Sequence, residues 1–249
     1  MIEVNQLNKT FRDKKILTNI SVSFESGKTN LIIGASGTGK SVLLKCIVGL
    51  IKPETGKILY NNREFLSADN ETLKTIRREM GMLFQGGALF DFKTVHENVM
   101  FPLHMLSDMS KTEKMDRVNF CLKRVGLEQA SNLYPSQISG GMQKRVGIAR
   151  AIVMNPRYLF CDEPNSGLDP LTAIKIDDLI QEITHEYNTT TIIVTHDMNS
   201  VVSIGENIAF VHQGEIVWKG NKDNILQTQS TPLQEFMFAN KLIRDSIKK

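Results

Sequence analysis

The chain has no apolar run approaching the ~20 residues that a membrane-spanning helix needs, and its first residues, Met1-Ile2-Glu3-Val4, lack the basic and apolar regions of a secretion signal. A soluble cytoplasmic protein is expected, with any membrane role supplied by a partner. Cysteine is scarce. Cys46, Cys121 and Cys161 stand singly in apolar stretches without C-x-x-C spacing, which argues against a zinc site or disulfide framework and for small buried hydrophobes. An excess of one charge is also missing: 30 basic against 27 acidic residues leave a net +3. That is far from the clustered basicity of a nucleic-acid binder, so no nucleic-acid partner is expected. There is no internal repeat, low-complexity tract or long structureless linker, and 249 residues suffice for one α/β domain with sub-lobes.

What is present begins with Gly34-Ala35-Ser36-Gly37-Thr38-Gly39-Lys40-Ser41, set between the apolar run Leu31-Ile32-Ile33 and Val42-Leu43-Leu44. A strand, a glycine-rich turn and a helix start are written in order, which is the context that the pattern G-x-x-x-x-G-K-[ST] requires. The glycines let successive backbone N–H groups curl around a phosphate, and the helix N-terminus adds roughly half a positive charge. Lys40 is expected to reach the β- and γ-phosphates of a nucleoside triphosphate, and the Ser41 hydroxyl to ligate Mg²⁺.

Further along, β-branched and apolar runs at Tyr158 to Cys161, Thr190 to Thr195 and Ile208 to His212 read as strands, with a helix from about Leu171 to Tyr187 between the first two. A β-helix-β order implies a parallel sheet, whose ligands sit beyond the carboxyl ends of its strands. Gly34, Asp162 and His196 all fall there. Asp162 and Glu163 end the Tyr158 strand: Asp162 offers the hard oxygen that Mg²⁺ prefers, and Glu163 can orient a water and accept its proton. Between Lys93 and Asn155 the pattern turns helical, with Val118, Cys121, Leu122 and Val125 at spacings of three and four before Gly126. Within it Ser139-Gly140-Gly141 opens a helix that Asn155-Pro156 stops. This is either a second anion site or a simple capped helix start.

Taken in order, Gly34 to Ser41, Gln85, Ile138-Ser139-Gly140-Gly141-Met142, Asp162-Glu163, Ser166-Gly167-Leu168-Asp169 and His196 resemble the ATPase cassette of ABC transporters over nearly the whole chain. The resemblance implies an α/β fold: a RecA-like P-loop core and an antiparallel β lobe (1–92 and 156–220), an inserted helical lobe (93–155) and a C-terminal tail (221–249). It also implies that ATP and Mg²⁺ bind between two copies paired head to tail. Ser139, Gly140 and Gly141 of one copy then clasp the γ-phosphate of ATP held by the other, with Asp169 organising the partner's loop. His196 contacts the γ-phosphate, Gln85 approaches Mg²⁺, and Phe11 either stacks on adenine or belongs to the β-lobe core. Ile138 and Met142 replace the leucine and glutamine usual in this signature. Met82 to Asp91, with Gly87-Ala88-Leu89-Phe90, is similar to the ATPases of the Mla and MCE phospholipid-transport systems. That likeness implies an integral-membrane permease docking a cytoplasmic helix after Gln85, an MCE-type lipid-binding protein, and a place on the inner face of the cytoplasmic membrane. A lipoprotein-release or importer ATPase, or a cassette that signals ATP state to envelope or division machinery, are the alternatives. The amphipathic tail ending in Lys241, Arg244, Lys248 and Lys249 carries no motif.

Overall fold

Alternation along the strands decides which layers form. Leu31 and Ile33 face one side and Ile32 the other, and Leu159 and Cys161 oppose Tyr158 and Phe160, yet all of them are buried. A strand apolar on both faces must be covered on both faces. The computed structural model, which describes residues 1–239, satisfies this with two sheets and two sets of helices. Lys241, Arg244, Lys248 and Lys249 lie outside the described residues.

In chain order the elements are β1 (Ile2–Phe11), β2 (Lys14–Phe24), β3 (Thr29–Ile33), α1 (Lys40–Ile47), β4 (Thr55–Tyr60), β5 (Arg63–Glu64), α2 (Asn70–Arg78) and β6 (Met80–Leu83). There follow α3 (Val95–Leu106), α4 (Lys111–Arg124), α5 (Gly140–Ile152), β7 (Tyr158–Asp162), α6 (Pro170–Tyr187), β8 (Thr190–Thr195), α7 (Met198–Ile204), β9 (Asn207–His212), β10 (Glu215–Gly220) and α8 (Thr231–Phe238). A four-stranded antiparallel sheet runs β2-β1-β4-β5, and a six-stranded sheet runs β10-β9-β3-β8-β7-β6. In the larger sheet only β10 is antiparallel to its neighbour.

The antiparallel sheet and α1 cover one face of the larger sheet, packing Ile2, Val4, Leu7, Leu43 and Leu44 against Ile32, Phe160 and Ile192. The helices α3 to α7 cover the other, and Val99, Val146, Ile148 and Ile180 join Leu31, Leu159 and Ile193 in one core. The helical stretch 93–155 therefore shares its core with the main sheet. Its helix starts are set by local chemistry: Thr94 with Glu97, and Ser110 with Glu113, form reciprocal capping boxes. All three cysteines are buried, and burial pushes the Cys46 and Cys121 thiols up to about 11, as expected of inert packing residues. Among the described residues no helix is long and apolar enough to cross a membrane.

Candidate active site

Parallel register brings the reactive segments to one edge. Ile33 lies beside Thr195, and Asp162 beside Val194, so Gly34, Glu163 and His196 all leave the sheet at the same carboxyl end. Gln85 emerges there too, two residues past β6, with its side chain exposed. No hydrogen bond joins Gln85 to Ser41 or Asp162 among the described residues.

The turn after β3 needs its glycines. Gly39 has φ +106°, and a Cβ there would lie 2.8 Å from Leu17 Cδ2 and 3.0 Å from the Ile16 carbonyl; a Cβ at Gly34 would run into the Val211 carbonyl. The loop is thus pressed between the β lobe and β9, with its tip, Ala35 to Gly37, exposed. Inside it the Lys40 ammonium donates to the Gly34 and Ala35 carbonyls at 2.8 and 2.9 Å. Burial lowers the Lys40 pKa, and the carboxylates of Glu163 and Asp162 oppose that shift. At the head of α1, Ser41 Oγ donates to Asp162 Oδ1 at 3.0 Å. Asp162 is buried at the end of β7.

These two oxygens fit Mg²⁺. No group of three or more His, Cys, Asp or Glu side chains of metal-binding geometry occurs among the described residues, and Mg²⁺ does not need one. It is characteristically held by one or two protein oxygens, with phosphates and waters completing the octahedron.

Glu163, next in sequence, adopts φ +50°, a left-handed conformation uncommon for a residue with a side chain. Its N–H donates to the Val194 carbonyl at 2.9 Å, and its Oε1 lies 2.9 Å from Nδ1 of His196. The carboxylate and imidazole therefore share a cavity with Ala35 and Ser36 of the loop. Ser139 sits elsewhere, as the N-cap of α5, where its Oγ accepts the Met142 N–H at 3.3 Å. Asp169 likewise caps α6, accepting the Thr172 N–H at 3.0 Å, and these hydrogen bonds with Thr172 lower its pKa. Ser139, Gly140, Gly141 and Asp169 line a second open cavity of their own. The two cavities meet only at Gly167, which lines both. Phe11 ends β1 at 44% exposure with the Lys9 ammonium 4.9 Å from its ring centroid, so it is a surface ring and not part of the β-lobe core.

Some residues of this region escape sequence reading. Lys144 of α5 is buried, with Nζ 3.5 Å from the Glu163 carbonyl oxygen. Asp177 of α6 is buried too, and Asn165 Nδ2 donates to its Oδ1 at 2.8 Å. Their only signal is a charge in an apolar register: Lys144 precedes Ile148 and Ile152 by four and eight, and Asp177 lies among Ala173, Ile180 and Thr184.

Behind β6, Met80, Phe84, Ala88, Phe90, Phe101 and Met105 line an apolar groove of about 480 Å³. Arg150 of α5 fixes its rim, donating to the Gly87 and Ala88 carbonyls at 2.6 and 2.8 Å. Asn98 pins Phe90 through both N–H and carbonyl. Phe92 is 76% exposed and stands outside the groove lining.

Sheet order and the glycine-rich loop between β3 and α1 together define a P-loop fold. The family model for ABC transporters matches residues 17–166. Mkl of Mycobacterium tuberculosis, a probable ribonucleotide transport ATP-binding protein, is 36% identical over 236 residues, 95% of this chain and 66% of that protein. The methionine import ATP-binding protein MetN of Photobacterium profundum is 38% identical over 99% of this chain and 71% of its own length. The chain belongs to the ABC transporter family. It spans about two thirds of the length of the mkl relatives. Among solved structures, a dimeric ATP-binding cassette in a post-hydrolysis state bound to ADP and phosphate superposes with a TM-score of 0.81 at 34% identity, over 89% of this chain and 99% of that one. CbiO1 of Clostridium perfringens, part of the ABC transporter complex cbiONQ, gives 0.84 at 28% identity over 100% and 98%.

Proposed function

We propose that this chain is the ATP-hydrolysing subunit of a membrane transporter, and that two copies close head to tail around two ATP molecules. The observation that carries this is a pair of cavities: Ala35 and Ser36 of the loop share one with Glu163 and His196, while Ser139 to Gly141 and Asp169 line another. Head-to-tail pairing sets the second against the first of the partner.

In this reading Gly34 to Ser41 bind the triphosphate of ATP, and Lys40 exchanges its two loop carbonyls for the β- and γ-phosphates. Ser41 and Asp162 hold Mg²⁺, with Gln85 approaching it; the bound ion supplies positive charge against the phosphate oxygens. Glu163 takes the proton of the attacking water, and the hydrogen bond to His196 Nδ1 fixes the carboxylate's direction. The other face of His196 addresses the γ-phosphate. Ser139, Gly140 and Gly141 add donors from the partner, so the reaction is completed only in the closed pair. Phe11, held from one side by Lys9, stacks on adenine with the other.

ATP binds the closed form better than the open one, and that difference is the work passed on. An integral-membrane permease receives it through a cytoplasmic helix seated in the groove beside Ala88 and Phe90. Cargo is read from Met82 to Asp91, whose likeness to Mla and MCE systems supports phospholipid transport with an MCE-type lipid-binding protein. Reconstitution of the chain with its copurifying permease in liposomes tests this. ATP-dependent movement of labelled phospholipid is expected; uptake of methionine or ribonucleotide without lipid movement would overturn the cargo assignment.

A further inference from the structure

Between the two cavities lies a buried polar cluster that neither hydrolysis nor clasping explains. Asn165 is 9% exposed and follows Glu163 by two residues. Its Nδ2 donates to Asp177 Oδ1 at 2.8 Å and to Ser200 Oγ at 3.1 Å. Each member belongs to a different working segment. Asn165 joins Glu163 to the Ser166–Asp169 turn, Asp177 sits on α6, whose N-cap is Asp169, and Ser200 sits on α7, which follows directly from His196. Asp177 is 4% exposed and Ser200 1%, so these hydrogen bonds form away from competing water, where polar networks fix geometry most strongly. One acceptor stays free: Asn165 Oδ1 is buried without a partner among the described residues, in a residue that lines the cavity shared by Glu163 and His196. A buried acceptor left unmet is costly in this arrangement.

We propose that Asn165, with Asp177 and Ser200, is a positioning node that locks the segments serving the copy's own ATP, Glu163 and His196, to the segment serving the partner's ATP, Asp169. It rests on the head-to-tail reading above. Through it, closure at one nucleotide sets the geometry offered to the other, and two sites act as a pair. Asn165 touches no reacting atom in this scheme. Its work is to hold the turn that carries Asp169 at a fixed offset from Glu163.

The test uses the full chain. In the Glu163→Gln background, ATP-driven dimerisation is measured by sedimentation, ATP affinity of the monomer by a fluorescent analogue, and folding by thermal melting. Adding Asn165→Ala or Asp177→Ala should weaken dimerisation at least tenfold while monomer affinity changes less than twofold. Asp177→Asn keeps an acceptor for Asn165 and Ser200 and should restore dimerisation to within threefold, whereas Asp177→Leu, which fills the space but accepts nothing, should not. With Glu163 intact, Asn165→Ala should also bring the Hill coefficient for ATP toward 1. Normal dimerisation and Hill coefficient in Asn165→Ala, or equal failure of Asp177→Asn and Asp177→Ala, would overturn the node. A Glu163→Gln parent that itself stays monomeric with ATP bound would instead overturn the head-to-tail reading.

Discussion

Asp177 pays for its place in the core, and the amount can be worked out. Burial pushes its pKa up to about 6 from 3.8, with hydrogen bonds from Ser200 and Asn165 opposing the rise and the charges of Asp197 and Asp178 adding to it. Each pH unit between the two values is worth about 1.4 kcal/mol, so holding the carboxylate ionised at pH 7 costs about 3 kcal/mol. The sign follows from proton counts. Between pH 3.8 and about 6 the unfolded chain has lost the proton that the folded chain keeps, so this group's contribution to stability falls as pH rises and is flat above that window. Asp177→Asn removes the titration while leaving an oxygen to accept from Asn165 and Ser200. The variant should therefore match the parent below pH 3.8 and exceed it by up to about 3 kcal/mol above pH 6, or roughly 6–12 °C in melting temperature for a chain of this size. Every other group titrates in both proteins and cancels in the difference. Paired urea unfolding curves from pH 3.5 to 8 provide the assay. A difference that is constant across the range, or that grows toward acid, would refute the assignment of a costly buried charge.

Other expectations are read more simply. Lys40→Ala removes the ammonium held within the loop and should weaken ATP binding at least tenfold by calorimetry, with melting temperature little changed; unchanged affinity would argue against the phosphate cradle. Phe11→Ala should raise the ATP dissociation constant about 5- to 150-fold, the effect of losing ~1–3 kcal/mol of base stacking, and leave triphosphate binding unaffected; equal affinity in the variant would remove Phe11 from the base site. Met105→Glu places a charge in the groove behind β6 and should abolish copurification with the permease while ATP binding persists, whereas retained copurification would move the docking surface elsewhere.

What could be read from the residues was what local chemistry determines. The loop Gly34 to Ser41 is legible because its glycines, lysine and flanking runs leave few other uses, and the Asp162-Glu163 strand end only because that loop gives a neighbouring carboxylate something to do. Strand ends are set by pairing and not by local pattern: β6 starts at Met80 because Met80 pairs with Tyr158. α7 and β10 are short and lack a strong period of their own; packing and sheet pairing make them. Ser139 shows the opposite limit. In one chain it is an ordinary helix cap, and the use proposed for it needs a second copy. The Asn165, Asp177 and Ser200 cluster joins positions 12 and 35 residues apart, a proximity that no local pattern encodes.

In the proposed mechanism each ATP is held by two copies at once. Sedimentation of Glu163→Gln with saturating ATP tests it most directly, with and without Ser139→Ala. A dimer should form only with nucleotide and dissociate to monomer when Ser139 is replaced. A protein that remains monomeric with ATP bound, or a dimer that Ser139→Ala leaves unaltered, would contradict it.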